Sequence, residues 1–150
     1  MPSSSTAEIW ETLAAEAAAE SPLWGDALHA EPEQVPVFSP LVPERFALAL
    51  ETIYEGYLVH YGRPRLFDPP GEEEAILLGD YLYAHGLVRI ADTGELDAVA
   101  ALAELISTCA HLRAEAAAGD GEAWLGTCAR LGGDMSGAPA ALAAHADRFR

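Results

Sequence analysis

The stretch EEEAILLGDYLYAHGLVRIAD, residues 72–92, decides the fold. It contains no proline and opens with three glutamates, which favour the positive N-terminal end of a helix dipole. Its apolar residues lie on nearly every side of a helical wheel, so we predict a central, buried helix. Gly79 and Gly86 lie on one side of it, and each costs about 1 kcal/mol in a helix interior. Their presence predicts the close approach of a neighbouring helix.

Helical periodicity continues on both sides of this stretch. Apolar residues recur at helical spacing, and no segment alternates with the two-residue period of a strand long enough to form one. On the predicted helix that runs from Pro43 to Tyr61, we expect Glu44, Glu51 and Glu55 to lie opposite the apolar face. The fold class is therefore all-α, a bundle of five or six helices. The predicted helices cover residues 5–19, 43–61, 72–92, 95–118, 122–131 and 139–149.

The chain divides into an arm and a core. Residues 21–43 contain five prolines, which break helices and central strands, but they also contain Trp24, Val37, Phe38 and Leu41. We expect this segment to lie extended against the bundle. Residues 1–40 are predicted to form an N-terminal helix and a proline-rich packing arm, and residues 41–150 the helical bundle core.

Composition and charge exclude several classes of function. The 150 residues carry a net charge of −16 and include no lysine. This balance predicts no nucleic-acid partner, and the missing lysine excludes Schiff-base and P-loop chemistry. Cys109 and Cys128 are expected to be free thiols. The N-terminal region is acidic rather than basic, and no apolar run reaches the length of a membrane span, so we expect a cytoplasmic protein without a span.

The carboxylate of Asp80 is the most unusual group in residues 72–92. It lies among apolar residues on the helical wheel, so we expect it to be at least partly buried and to need a partner. His60, at the edge of the apolar face of the preceding helix, is the first candidate. Asp80 is then either a ligand or acid–base group or one member of a pair that fixes how two helices cross.

Two further sets of residues are candidates for binding. The tyrosines, among them Tyr57 and Tyr83, are expected to line the core, or alternatively a pocket for an apolar ligand. Arg63 and Arg65 flank Pro64 in a predicted loop and are candidates for binding an anion. The five histidines lack the spacings of metal ligands, so we predict neither a metal site nor a cofactor.

Residues 71–117 resemble part of the polyprenyl diphosphate synthase family. Ala75, Leu77, Gly79, Asp80 and Leu82 match the pattern A-x-L-x-G-D-x-L of a central helix in that family. The resemblance implies the all-helical isoprenoid synthase fold. The family's DDxxD motifs, which hold magnesium and the substrate diphosphate, are absent from this sequence, as are its lysines. The resemblance therefore implies a degenerate, non-catalytic relative.

The expected function follows from these two observations. We expect a non-catalytic helical protein that acts as an accessory or interaction subunit, through a protein partner or as a homo-oligomer. The alternatives are an enzyme of isoprenoid metabolism with a reduced site around Asp80, and a small protein that binds an apolar ligand.

Overall fold

A computed structural model describes residues 4–150, with side chains from residue 7 onward. Helices make up 72% of the structure, and the described residues form no strand. The all-α prediction is confirmed, but these residues form seven α-helices rather than five or six. The helices are α1 (Ser4–Glu20), α2 (Pro22–Asp26), α3 (Glu44–Tyr61), α4 (Glu72–Asp92), α5 (Leu96–Ala114), α6 (Asp120–Arg130) and α7 (Ala138–Asp147).

The additional helix is the five-residue α2, which lies where the sequence predicts a wholly extended segment. Ser21 caps it, because its hydroxyl accepts a hydrogen bond from the Leu23 amide at 3.1 Å. Pro22 occupies the first helical position, where a missing amide proton is not needed. Pro22, which we predict to break a helix, therefore begins a short one.

The helix α3 lies at the centre of the molecule. Almost all of its residues from Phe46 to Val59 are buried. One side contributes to the main apolar cluster, together with α5, α6, α7 and Phe38 of the arm. The other side meets a second cluster, built from Trp10 of α1, Trp24 of α2 and Leu78 and Leu82 of α4. Because α3 is enclosed on both sides, it positions every other element.

The helix α4 is not buried on all sides, which corrects the prediction from its sequence. It begins and ends as predicted, at Glu72 and Asp92. Its buried residues lie on a single face, which packs mainly against α3, shares an apolar cluster with α1 and also meets α5. They are Leu78, Gly79, Leu82, Gly86 and Ile90. The other side carries apolar residues too, but no described element covers it.

The two glycines of α4 do permit close packing, as predicted. A Cβ atom on Gly86 would lie 2.4 Å from Cγ1 of Ile53 on α3. A Cβ atom on Gly79 would lie 2.1 Å from the His60 ring. Likewise, a Cβ atom on Gly56 of α3 would lie 3.0 Å from the Gly79 carbonyl oxygen. Glycine at these positions lets α3 and α4 approach each other closely.

The arm that precedes α3 lies against the bundle. Val37, Phe38 and Leu41 are buried, and a short 3-10 helix, Ser39–Leu41, leads toward α3. Leu28 forms an isolated β-bridge with Phe67 in the connection between α3 and α4. The predicted packing of the arm against the bundle is therefore confirmed around Val37, Phe38 and Leu41, whereas residues 30–35 are exposed. None of the helices in residues 4–150 combines the length and the apolar character needed to cross a membrane.

Candidate functional site

An exposed apolar stripe runs along the outer side of α4. It consists of Leu77, Ala84, Val88 and Ala91, which we call the outer stripe. Leu77 and Val88 are each 57% exposed, and both alanines are exposed as well. Together with half-buried Tyr81 at its edge, the stripe has the alternating four- and three-residue spacing of a helix seam that packs against another helix. Its chemistry is that of a surface for contact rather than for catalysis.

Two neighbouring features widen this apolar surface. Ile76, in the first turns of α4, is 51% exposed. Tyr83 and Leu87 of α4 and Ile106 of α5 are only partly buried, although they pack against the main apolar cluster. The core is therefore incompletely covered along this side of the molecule.

The ionic groups around the outer stripe are acidic. Glu73, Asp80 and Asp92 of α4 are exposed. The basic side chains of α4 are His85 and Arg89, and both pair with Glu16 of α1. The His85 Nε2 atom lies 2.7 Å from the Glu16 carboxylate. These pairs attach α1 to the edge of α4 and leave the outer stripe with an acidic border.

His60 and Asp80 pair as predicted, but Asp80 is not buried. Nε2 of His60 lies 3.4 Å from Oδ1 of Asp80 and 3.2 Å from the Ile76 carbonyl oxygen. The Asp80 side chain is 65% exposed, so the prediction of a buried carboxylate is wrong. The reason is that Asp80 lies on the uncovered half of α4. The missing side chain of Gly79 provides the space that the His60 ring occupies.

A shallow surface cleft adjoins this pair. Its volume is about 310 Å³. Val59, His60, Tyr61, Glu72, Ala75 and Ile76 line it. A histidine beside a carboxylate is able to transfer protons, which is the chemistry that a reduced catalytic site would need. Tyr83, another predicted site residue, packs edge-on against the His60 ring, with ring centroids 5.0 Å apart. Burial raises the pKa of its hydroxyl well above the usual range.

Tyr57 belongs to a second, interior network centred on Asp120. The Tyr57 hydroxyl donates a 2.7 Å hydrogen bond to Oδ2 of Asp120. Arg113 donates to the same oxygen at 2.7 Å, and Nε2 of His145 lies 3.0 Å from it. The Tyr54 hydroxyl lies 2.7 Å from Nδ1 of His145. The carboxylate of Asp120 thus joins α3, α5, α6 and α7.

The electrostatics of this network follow from burial and from its hydrogen bonds. Burial on its own would raise the pKa of Asp120, but hydrogen bonds from His145 and Tyr57 and the charge of Arg113 outweigh it and lower that pKa strongly. Burial, reinforced by the hydrogen bond to Asp120, raises the pKa of Tyr57. The aromatic rings of Tyr54 and Tyr57 pack against Trp124. The tyrosines at this position therefore act as packed core, with their hydroxyls satisfied.

The two arginines that flank Pro64 occupy different environments. Arg63 is exposed, whereas the Arg65 side chain is completely buried. Arg65 binds Glu51 at 2.5 Å and Glu55 at 3.0 Å, and its guanidinium lies over the Trp10 ring. Because these groups enclose Arg65, it is not available to an anion from solvent. The predicted anion site stays a prediction for Arg63 alone.

The two glutamates also hold the flanking connections in place. Glu51 accepts hydrogen bonds at 3.3 Å from the amides of Val37 and Ser39, and Glu55 accepts one at 2.8 Å from the Leu66 amide. Glu51 and Glu55 lie opposite the predicted apolar face of α3, but this polar side is buried rather than exposed to solvent. The arm and the connection after α3 cover that face. We call Glu51, Glu55 and Arg65 the buried ionic triad.

The Asp120 network is not visible in the local sequence, because most of its members are far apart along the chain. Tyr57 and Asp120 are 63 residues apart, and Tyr54 and His145 are 91 residues apart, so no local motif connects them. The triad offered a better signal, namely two glutamates one helical turn apart beside a nearby arginine. Cys109 and Cys128 are free and buried, as expected, and burial raises the pKa of both thiols to about 12.

A further groove lies between α1, the arm and α3. It has a volume of about 430 Å³. Its lining includes Ile9, Pro40 and Leu48 together with the carboxylates of Glu8 and Glu44. Among the described residues, no group of three histidine, cysteine or acidic side chains is arranged to hold a metal ion.

Comparison with known proteins gives no relative. No family model, no curated protein and no solved structure matches this chain.

Proposed function

We propose that this protein is a non-catalytic interaction subunit that contacts its partner through the outer stripe of α4. The observation that carries the proposal is the exposure of Leu77 and Val88 on a helix whose opposite face is fully packed. Burying a leucine or valine side chain on association contributes roughly 1.5–3 kcal/mol relative to leaving it in water. Together with Ile76, these residues offer a partner a continuous apolar contact.

The resemblance to the polyprenyl diphosphate synthases gives the proposal its class of partner. The matching residues Leu77, Gly79, Asp80 and Leu82 lie on α4, the helix that carries the outer stripe. The sequence lacks the aspartate-rich motifs with which that family holds magnesium. We therefore propose an accessory role beside a catalytic subunit of isoprenoid metabolism.

The test compares the native mass of complexes containing the wild type or a stripe variant. Leu77→Glu/Val88→Glu places two charges on the outer stripe. Leu23→Glu/Val35→Glu is the matched control, since Leu23 is 59% and Val35 44% exposed and neither residue belongs to α4. Each tagged protein is produced in its native cells and sized by gel filtration with light scattering.

We expect the wild type and the control variant to elute in a complex with a co-purifying prenyl synthase subunit. The stripe variant should elute at the mass of the isolated chain, with unchanged circular dichroism. A complex that survives in the stripe variant would contradict the proposal.

The runner-up is an enzyme with a reduced site at His60 and Asp80, favoured by the 310 Å³ cleft beside them. An activity assay distinguishes this enzyme from the interaction subunit. The purified chain is incubated with labelled isopentenyl diphosphate, an allylic diphosphate and magnesium. The interaction subunit should form no product on its own. Robust turnover that is lost in Asp80→Asn would favour the enzyme.

A further inference from the structure

We infer that the partner seated on the outer stripe is a different polypeptide, whose contacting helix carries an apolar seam flanked by lysine or arginine. This inference rests on the proposed function and specifies the chemistry of the partner. The charges that surround the stripe support it.

Almost all arginines of this chain form ion pairs with its own carboxylates. Seven of the eight form an ion pair. The exception is Arg63, which donates to the Arg150 carbonyl oxygen at 3.4 Å. Because the chain has no lysine and a net charge of −16, its uncompensated surface charge is acidic. In a docked complex, the basic groups that complement this charge would therefore belong to the partner.

The border of the outer stripe shows this imbalance locally. Glu73, Asp80 and Asp92 are exposed beside the stripe, and Asp80 is matched only by His60. His85 and Arg89 on the same helix face α1, where Glu16 engages both. An incoming helix therefore meets an apolar centre between carboxylates. Lysine or arginine at the flanks of that helix would complement them and accelerate association.

A second copy of this chain fits the same surface poorly. In a two-fold symmetric contact each residue meets the same patch on the other subunit. The carboxylates around one stripe would then approach those around the other within the screening length of about 8 Å at physiological salt. No basic group of α4 is free to offset that repulsion.

The size of the stripe residues sets the geometry of the contact. Ala84 and Ala91 are small positions along the seam, whereas Leu77, Tyr81 and Val88 are larger. Small residues leave holes into which the larger side chains of a facing helix can insert. A partner helix with leucine at its seam positions fits this arrangement.

The experiment uses two fluorescent synthetic peptides of three heptads. Both carry leucine at the seam positions, and they differ only at the flanking positions, which are lysine in one and glutamate in the other. Binding to the full chain is followed by fluorescence anisotropy at about 50 mM and about 500 mM salt. The mass of the chain alone is measured by analytical ultracentrifugation.

We expect a monomeric chain that binds the lysine-flanked peptide roughly tenfold or more tightly than the glutamate-flanked peptide. High salt should weaken binding severalfold. Leu77→Glu/Val88→Glu should weaken it at least about tenfold although it adds negative charge, whereas Leu23→Glu/Val35→Glu, which adds the same charge elsewhere, should not.

The contrary outcomes separate this inference from the proposed function. If the chain forms a dimer on its own and Leu77→Glu/Val88→Glu dissociates that dimer, the inference of a different polypeptide is overturned. The outer stripe would still be an interaction surface. Equal binding of both peptides, or of neither, would also overturn it. The proposed function is decided separately by the native-mass comparison.

Discussion

Two aspartates show how weakly the sequence around a single residue predicts its environment. Asp80 lies among apolar residues on the helical wheel of α4, yet its side chain is 65% exposed. Asp120 follows an alanine-rich turn at the start of α6, yet its carboxylate binds the side chains of Tyr57, Arg113 and His145. The difference lies in what packs against each residue, which one helical wheel does not contain.

We predict that Asp120→Asn destabilises the protein by about 3 kcal/mol at neutral pH, because the buried donors lose their charged acceptor. The pKa of Asp120 is lowered in the folded protein, so its carboxylate stabilises the fold above the unfolded value of about 3.9. That stabilisation is lost as the pH falls toward the lower, folded value. The difference between wild type and variant should therefore be full at pH 7 and shrink below about pH 4.

Urea unfolding of both proteins across this pH range measures the difference. Asp68→Asn, an exposed position in a connection, is the control and should change little. A variant that loses stability equally at every pH would show that shape rather than charge matters at Asp120.

The elements themselves were largely predictable. Glutamates mark the start of α4, and a short turn at Thr93 and Gly94 marks its end, so its bounds match the sequence pattern. Which face of α4 is covered could not be predicted, because its apolar residues surround the helix. The burial of Glu51 and Glu55 could not be predicted for the opposite reason. Polar residues indicate an exposed face unless another segment satisfies them.

The close approach of α3 and α4 gives a prediction for the elements. Gly86→Ala places a Cβ atom 2.4 Å from the Ile53 side chain and 3.1 Å from the Ala49 carbonyl oxygen. We expect a cost of about 1–3 kcal/mol, since overpacking forces the helices apart. Gly126→Ala on α6 meets no atom within 4 Å and should instead stabilise by roughly 0.5–1 kcal/mol through helix propensity. Thermal and urea unfolding compare them, and equal effects would contradict close packing.

The buried ionic triad acts on the whole molecule, because it ties the arm and the connection after α3 to the central helix. We predict that Arg65→Met costs about 3–5 kcal/mol, since it leaves two buried glutamates without their cation. Arg45→Met removes an exposed pair with Glu95 and should have little effect. The free energy of unfolding in urea tests both. A stable Arg65→Met protein would mean that the backbone amides alone satisfy the glutamates.

The triad also bears on the order in which the chain folds. Arg65 is separated from Glu51 and Glu55 by only 14 and 10 residues, whereas Tyr57 and Asp120 are separated by 63. Closing a short loop costs less entropy than closing a long one, so the triad is able to form early and the Asp120 network late. In stopped-flow experiments Arg65→Met should mainly slow refolding, and Asp120→Asn should mainly accelerate unfolding. The reverse pattern would place the folding nucleus among α5, α6 and α7 instead of around the middle of α3.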